Sequence, residues 1–347
     1  MPCTAKRRDA AIARYVKNED HVRAVDQSLK SSDLEDFARV SRLLWADTFQ
    51  KVEEDLYYGR LIPRHGPGVT ADRLIGNNKW NQLEWTDRLE RAHLLASEHL
   101  VSSQSLFLQF LQDYPAIPAE DRGPWIPGFD GDEHLSTNER KLSPSSSGNP
   151  ESALTYLDPG TERPVKVITV PKTLKTPRII AVEPTCMQYT QQALLSSVVD
   201  AIETGPVRWL VGFSSQIPNQ VLARDGSLGR GLATLDLSDA SDCVSNQLVR
   251  RMLSSHQMVS DAFDATRSRK AEVPSKNGTE IIRLAKFASM GSALCFPVEA
   301  MVFATLLFMG IERELGRPMT KKAVQRFRGR VRVYGDDIII PEDYVQS

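Results

Sequence analysis

A chain of 347 residues with 41% hydrophobic and 25% charged side chains has the composition of a globular protein, either one large fold or two ordinary domains. Its 43 Lys and Arg against 44 Asp and Glu leave a net charge of -1, so bulk charge cannot draw it to nucleic acid, and any such surface must be local. Four scattered cysteines without a CxxC pair, and six histidines without a metal-binding motif, exclude a disulfide scaffold or zinc site as the organising feature.

The segment Pro2 to Arg14 is polar and basic, without the apolar run of a signal peptide. From Asp20 to Tyr58 the pattern is helical, and Trp45, Phe49, Val52 and Leu56 fall on one face. Pro63, Gly66, Pro67 and Gly68 then impose a loop, and a second helical region is expected from about Asn81 to Leu111. Residues 114–150 hold six prolines and the run Ser145-Ser146-Ser147-Gly148, an irregular excursion and the best internal boundary.

Beyond it, 165–170 and 178–182 read as strands, 185–202 as a helix, 232–236 as a strand and 244–258 as a helix. Asn277-Gly278 marks a hairpin. The apolar stretch 293–309 contains Pro297 and Glu299 and is short for a membrane span, so it reads as a buried helix. Strand–helix alternation with an antiparallel hairpin indicates an α/β or α+β core. The division expected is a helical region over 1–113, the excursion over 114–160, basic strands over 161–230, and an acidic-motif region over 231–347.

Two acidic motifs carry the chemistry. Val333-Tyr334-Gly335-Asp336-Asp337, followed by three isoleucines, reads as a tight hairpin with both acids at its tip. About a hundred residues earlier a strand ends in Asp236 and opens Asp236-Leu237-Ser238-Asp239-Ala240-Ser241-Asp242. Strands that deliver aspartates to one edge suit paired divalent metals and phosphoryl chemistry. Either motif alone is also an ordinary strand end, helix cap or turn; their combination weakens that bland reading.

Two acid-free basic stretches accompany them. Arg163, Lys166, Lys172, Lys175 and Arg178 suit a triphosphate, or merely a charged edge strand. Lys321, Lys322, Arg326, Arg328, Arg330 and Arg332 suit an RNA backbone, or merely a solvated face. Between the acidic motifs, Ser289-Met290-Gly291-Ser292 offers a glycine for close backbone approach and a serine hydroxyl.

In this order, VPKTLKTPRIIAVEP (170–184), ATLDLSDASD (233–242), SMGSALCFPVEA (289–300) and VYGDD (333–337) resemble the motifs of RNA-directed RNA polymerases of levivirus-like RNA bacteriophages. Gly66-Pro67-Gly68 and Gly226-Ser227-Leu228-Gly229 are similar to further segments of that family, extending the resemblance from about residue 66 onward. It implies an α+β right-hand polymerase fold, with fingers and a palm of antiparallel strands and helices. The metal ligands and catalytic groups would be Asp236, Asp336 and Asp337, holding two Mg2+ ions with Mn2+ as a substitute. Lys172, Lys175 and Arg178 would contact the triphosphate, and Asp242, Gly291 and Ser292 the nucleotide sugar.

Ser292 and Cys295 depart from the Asn and Thr that the better-known phage enzymes resemble at those places. The resemblance further implies RNA template and product, ribonucleoside triphosphates, host elongation factors Tu and Ts as partners, no membrane, and the bacterial host's cytoplasm as location. It implies too that a thumb and a lysine-bearing motif lie beyond Ser347, so the chain is expected to be an N-terminal fragment, inactive alone. A reverse transcriptase and a non-catalytic RNA-binding fragment are the alternatives. The small, polar Ser238–Asp242 stretch disfavours the former, which would carry a bulky aromatic there.

Overall fold

The computed structural model describes residues 4–81, 84–92, 94, 155–158, 160–171, 177–229 and 231–346. Two long helices come first, α1 (Ala5–Ser28) and α2 (Ser31–Tyr57), separated where Leu29 turns extended. The expected single helical stretch from Asp20 is therefore two helices, and the basic N-terminal segment is the opening of the first. The expected Trp45, Phe49, Val52, Leu56 stripe is buried in α2.

The second expected helical region departs from its reading. It opens with a short strand, β1 (Glu84–Thr86), before a brief helix, α3 (Asp87–Arg91). Strand β2 (Thr155–Leu157) pairs with β1 in parallel, a tertiary contact that local periodicity does not encode. Most of that region and of the Pro-rich excursion lies outside the described residues, as do Lys172 and Lys175.

Strands β3 (Val165–Val170) and β4 (Arg178–Val182) form an antiparallel pair, and helix α4 (Thr185–Thr204) follows. Helix α5 (Ile217–Ser227) leads to strand β5 (Leu232–Asp236). The helix expected over 244–258 is two helices, α6 (Asn246–Leu253) and α7 (Gln257–Thr266), interrupted near Ser254, whose hydroxyl bonds back to the Arg251 carbonyl. Strands β6 (Lys270–Ser275) and β7 (Gly278–Arg283) make the expected hairpin.

The apolar stretch is α8 (Cys295–Leu315), closed by Gly316 in the left-handed conformation. By length and hydropathy it could cross a membrane, but most of it is buried inside the protein. A one-turn helix, α9 (Lys321–Gln325), precedes strands β8 (Arg332–Tyr334) and β9 (Asp337–Pro341).

Besides the β1-β2 pair, the described strands form a four-stranded sheet in the order β4-β3-β6-β7 and a three-stranded sheet in the order β5-β9-β8. The main core is built from α2, α4, α6, α7 and α8 and reaches the inner faces of β8 and β9 through Val333, Ile338 and Ile340. Each large apolar side chain so buried contributes roughly 1.5–3 kcal/mol. One polar pair inside this core is the Trp45 indole with Thr305, to which it donates at 3.0 Å. A second, smaller core lies between the four-stranded sheet and α1, where Tyr15 meets Val165, Val167, Ala181 and Ala271. The overall class is α+β.

Candidate active site

The three-stranded sheet sets the geometry of the acids. In β8 and β9 the pairs are Arg332 with Ile339, Val333 with Ile338, and Tyr334 with Asp337, leaving Gly335 and Asp336 as a two-residue turn. Gly335 has φ +62, and a Cβ there would lie 2.1 Å from the Phe296 ring, so only glycine lets the turn rest on α8. On the other side of β9, Asp236 stands directly opposite Asp337. Opposed residues project from the same face, so one strand end presents Asp236 and Asp337 beside the turn residue Asp336. All three are exposed, and none forms an ion pair with a cation among the described residues. Burial, then repulsion from Asp336 and Asp236, holds the Asp337 carboxyl above its ordinary pKa.

Asp236 and Asp336 line a cleft of about 540 Å³, built by groups from five parts of the chain, with Asp337 just outside its lining. Arg178 of β4 and Asp242 line it, as foreseen. Arg178 is exposed with no acid paired to it among the described residues, leaving a free guanidinium across the cleft. Asp239, in the left-handed conformation (φ 54), begins the turn that carries Asp242, whose backbone N–H bonds to the Asp239 carbonyl at 2.9 Å. The Asp239 side chain is held in turn by Arg14 and by Asn18, the latter at 3.3 Å.

Four lining groups were not singled out from the sequence. Arg14, Tyr15 and Asn18 come from α1, more than 150 residues before the nearest acidic motif, and nothing local marks them. Glu299, in the first turns of α8, is buried, and its pKa is pushed up to about 8 by burial and then by Asp336 and Asp242. A lone acid inside an apolar run was its available signal, noted above only as an argument against a membrane span.

Behind the cleft, Lys286 is fully buried. Its ammonium lies 2.9 Å from Asp242 Oδ1, 3.1 Å from Glu19 Oε1 and 3.4 Å from the centre of the Tyr15 ring. The Glu19 oxygen is off the line of an N–H, so that contact is an ion pair without a directed hydrogen bond. Burial pulls the lysine pKa down, but Tyr15, Asp242 and Glu19 outweigh it, and the ammonium form persists.

The serine–glycine loop divides in two. Gly291 has φ +128, and a Cβ there would lie 2.0 Å from the Ala181 carbonyl, while the Met290 carbonyl accepts from Ala181 N–H at 2.8 Å. The loop thus adds to the edge of β4, next to Arg178, by the close approach the glycine was expected to allow. Ser292 does not line the acidic cleft; its hydroxyl donates to Gln191 at 3.1 Å beside a small internal cavity.

The basic stretches also divide. Arg163 is bound to Glu84 at 2.5 Å and Asp72 at 3.0 Å, a structural tie to the segment before the excursion. Arg332, grouped above with an RNA-facing cluster, is buried. It donates to Asn219 Oδ1 at 2.9 Å and the Trp209 carbonyl at 2.8 Å, in space left by Gly212, so it anchors β8 rather than meeting solvent. Lys321 pairs with Asp47 at 3.2 Å. Lys322, Arg326, Arg328 and Arg330 remain exposed, with no ion pair among the described residues.

Among the described residues no three His, Cys, Asp or Glu side chains converge closely enough to hold a metal on their own. The donor set nonetheless fits a hard divalent cation, being all oxygen and electrostatically uncompensated. Magnesium takes one or two carboxylates and completes its shell with water and substrate phosphate. An open set of acids facing a free arginine suits an ion that arrives with a triphosphate.

Comparison with known proteins bears on the family of the chain. The family model described as RNA replicase, beta-chain matches residues 160–347. The chain is 34% identical over 184 residues to the RNA-directed RNA polymerase subunit beta of Qbeta virus (strain MX1), covering 52% of this chain and 28% of that protein. It is 32% identical over 176 residues to the subunit of the same name from Escherichia virus Qbeta, covering 51% and 27%. It is 31% identical over 180 residues to the RNA-directed RNA polymerase beta chain of Escherichia phage MS2, covering 51% and 29%. Each match spans under a third of the relative's own length.

Proposed function

The chain belongs to the RNA replicase beta-chain family, and from that membership we propose that it carries the nucleotide-addition centre of a phage RNA-directed RNA polymerase. The reaction would be transfer of a nucleotidyl group from a ribonucleoside triphosphate to an RNA 3′-hydroxyl, directed by an RNA template. The observation that carries this reading is the ladder pairing of Asp236 with Asp337 beside the turn residue Asp336, at the edge of a cleft that Asp236, Asp336 and the free Arg178 line.

Asp236, Asp336 and Asp337 would hold two Mg2+ ions, with Mn2+ as a substitute. When bound, such ions lower the pKa of the attacking hydroxyl and neutralise the leaving pyrophosphate. Arg178 would grip the triphosphate, joined by Lys172 and Lys175 of the adjoining segment. Asp242 would accept a hydrogen bond from the ribose. Glu299, its pKa pushed up to about 8, would keep a further negative charge out of a cleft already lined by Asp236, Asp239, Asp242 and Asp336. In fingers-and-palm terms, β5, β8, β9 and α8 would be palm and β3 and β4 fingers.

Partners would be template and product RNA, with host elongation factors Tu and Ts as further subunits, in the host cytoplasm. Lys322, Arg326, Arg328 and Arg330 would meet RNA phosphates. In the replicase containing this chain, Asp336→Asn should abolish nucleotide incorporation while leaving most RNA binding intact. Incorporation at an undiminished rate would remove the metal assignment.

A further inference from the structure

We infer that Lys286 is a positioning residue for ribose recognition, holding the Asp242 carboxylate as a fixed acceptor that faces the acidic cleft, with α1 as its backstop. The inference deepens the reading above and rests on the cleft being a nucleotide site.

The geometry supplies the argument. Lys286 has no exposed surface, and one ammonium bond, 2.9 Å long, goes to Asp242 Oδ1. Its other charged neighbour is Glu19 of α1, itself buried and also accepting from the Ala285 backbone N–H. The Tyr15 ring closes the remaining face, and its hydroxyl is tied to Ser289 at 3.0 Å. Lys286 therefore cannot follow a moving Asp242, and Asp242 cannot rotate without abandoning a buried cation.

Asp242 itself is partly exposed and lines the cleft. With Oδ1 occupied, the remaining acceptor capacity lies in a fixed direction. A site built around a held acceptor favours a ligand that brings a hydroxyl and discriminates against one that lacks it, because the acceptor is then left unpaired. Of a nucleotide's groups, the 2′-hydroxyl is the donor whose presence separates ribose from deoxyribose. The same carboxylate on a free turn would reorient to water and discriminate less.

The test is equilibrium binding of ATP and dATP to the 347-residue chain with Mg2+, which requires no turnover. Wild-type protein should prefer ATP. Lys286→Met combined with Glu19→Gln, which removes the lysine without leaving Glu19 as an unpaired buried anion, should lower the ATP-to-dATP affinity ratio about tenfold, with dATP affinity little changed. Glu19→Gln alone, which loosens only the far anchor, should give an intermediate ratio. Asp242→Asn should lower the ratio as the double variant does, and combining all three changes should lower it no further.

An unchanged ratio in the folded double variant, or in Glu19→Gln, would overturn the inference, as would a further loss in the triple variant. Equal wild-type binding of ATP and dATP would overturn it while leaving the nucleotide site standing. Binding of neither would defeat the nucleotide reading itself, and this inference with it.

Discussion

The tip of the three-stranded sheet and the Lys286 knot stand on opposite sides of one turn and treat charge in opposite ways. At the tip, Asp236, Asp336 and Asp337 are exposed, repel one another and have no cation of their own among the described residues. In the knot, a buried ammonium is enclosed by Glu19, Asp242 and an aromatic ring. Water screens exposed charges, so the tip can remain unbalanced at small cost. Buried charges must be balanced by the chain itself. The tip is left for a ligand to complete, whereas the knot is complete and serves as a foundation.

The largest test of this contrast is Lys286→Met, which strands Glu19 and Asp242. It should destabilise the protein by about 3–5 kcal/mol, read by urea unfolding, and adding Glu19→Gln should recover much of the loss. If Lys286→Met costs under about 1 kcal/mol, the knot is no foundation.

Next is Gly291→Ala, at the loop that joins the two regions. A Cβ 2.0 Å from the Ala181 carbonyl, at φ +128, cannot be accommodated without moving the loop from β4. The expected cost is about 3 kcal/mol, with a weakened grip on triphosphate because Arg178 opens the same strand. Wild-type stability in Gly291→Ala would mean that the loop relaxes freely.

Glu299 sharpens the comparison through pH, because it is buried like the knot yet feels the charge of the tip. Its pKa of about 8 in the folded protein lies above its ordinary 4.5. The folded state therefore binds the extra proton, and this stabilising contribution is full below pH 4.5 and lost as pH rises through about 8. In magnesium-free buffer, stability should fall by about 2–3 kcal/mol between pH 6 and 9. Glu299→Gln should flatten that fall in thermal melts; an equal slope in both proteins would contradict the assignment.

The smallest effect belongs to the tip. Saturating Mg2+ should raise the melting temperature, by an amount equivalent to roughly 1.4 kcal/mol at ten times the dissociation constant. Asp336→Asn should blunt that response and slightly stabilise the metal-free protein by relieving repulsion. Metal-free Asp336→Asn melting well below wild type would show that the tip already has internal partners.

The tip was largely legible in the sequence and the knot was not. Gly-Asp between two strand-forming runs specifies a tight turn, and the foreseen strand ends at Asp236 and Asp337 coincide with the observed ladder. Those signals are local. The knot joins positions 15, 19, 242, 286 and 289, which share no periodicity and meet only through packing of α1 on the four-stranded sheet. Arg332 failed as an RNA contact for a related reason. It lies among surface cations in sequence, but β8 is covered on both sides, and a strand so enclosed takes its arginine inward. That cover is supplied by Asn219 and Trp209, over a hundred residues earlier, and no local signal reports it.

Tyr15 bonds to Ser289 across 274 residues of chain. During synthesis at ~5–20 residues per second, α1 therefore leaves the ribosome roughly 15–55 s before its partner exists. Until β3 and β4 are made, its stripe of Ala11, Tyr15 and Val22, with Glu19 among them, has no sheet to meet, and the tie to Ser289 closes later still. The helix that braces the acidic cleft is consequently among the earliest segments made and the latest seated. Between those moments it is the stretch of this chain most open to capture by chaperones and proteases.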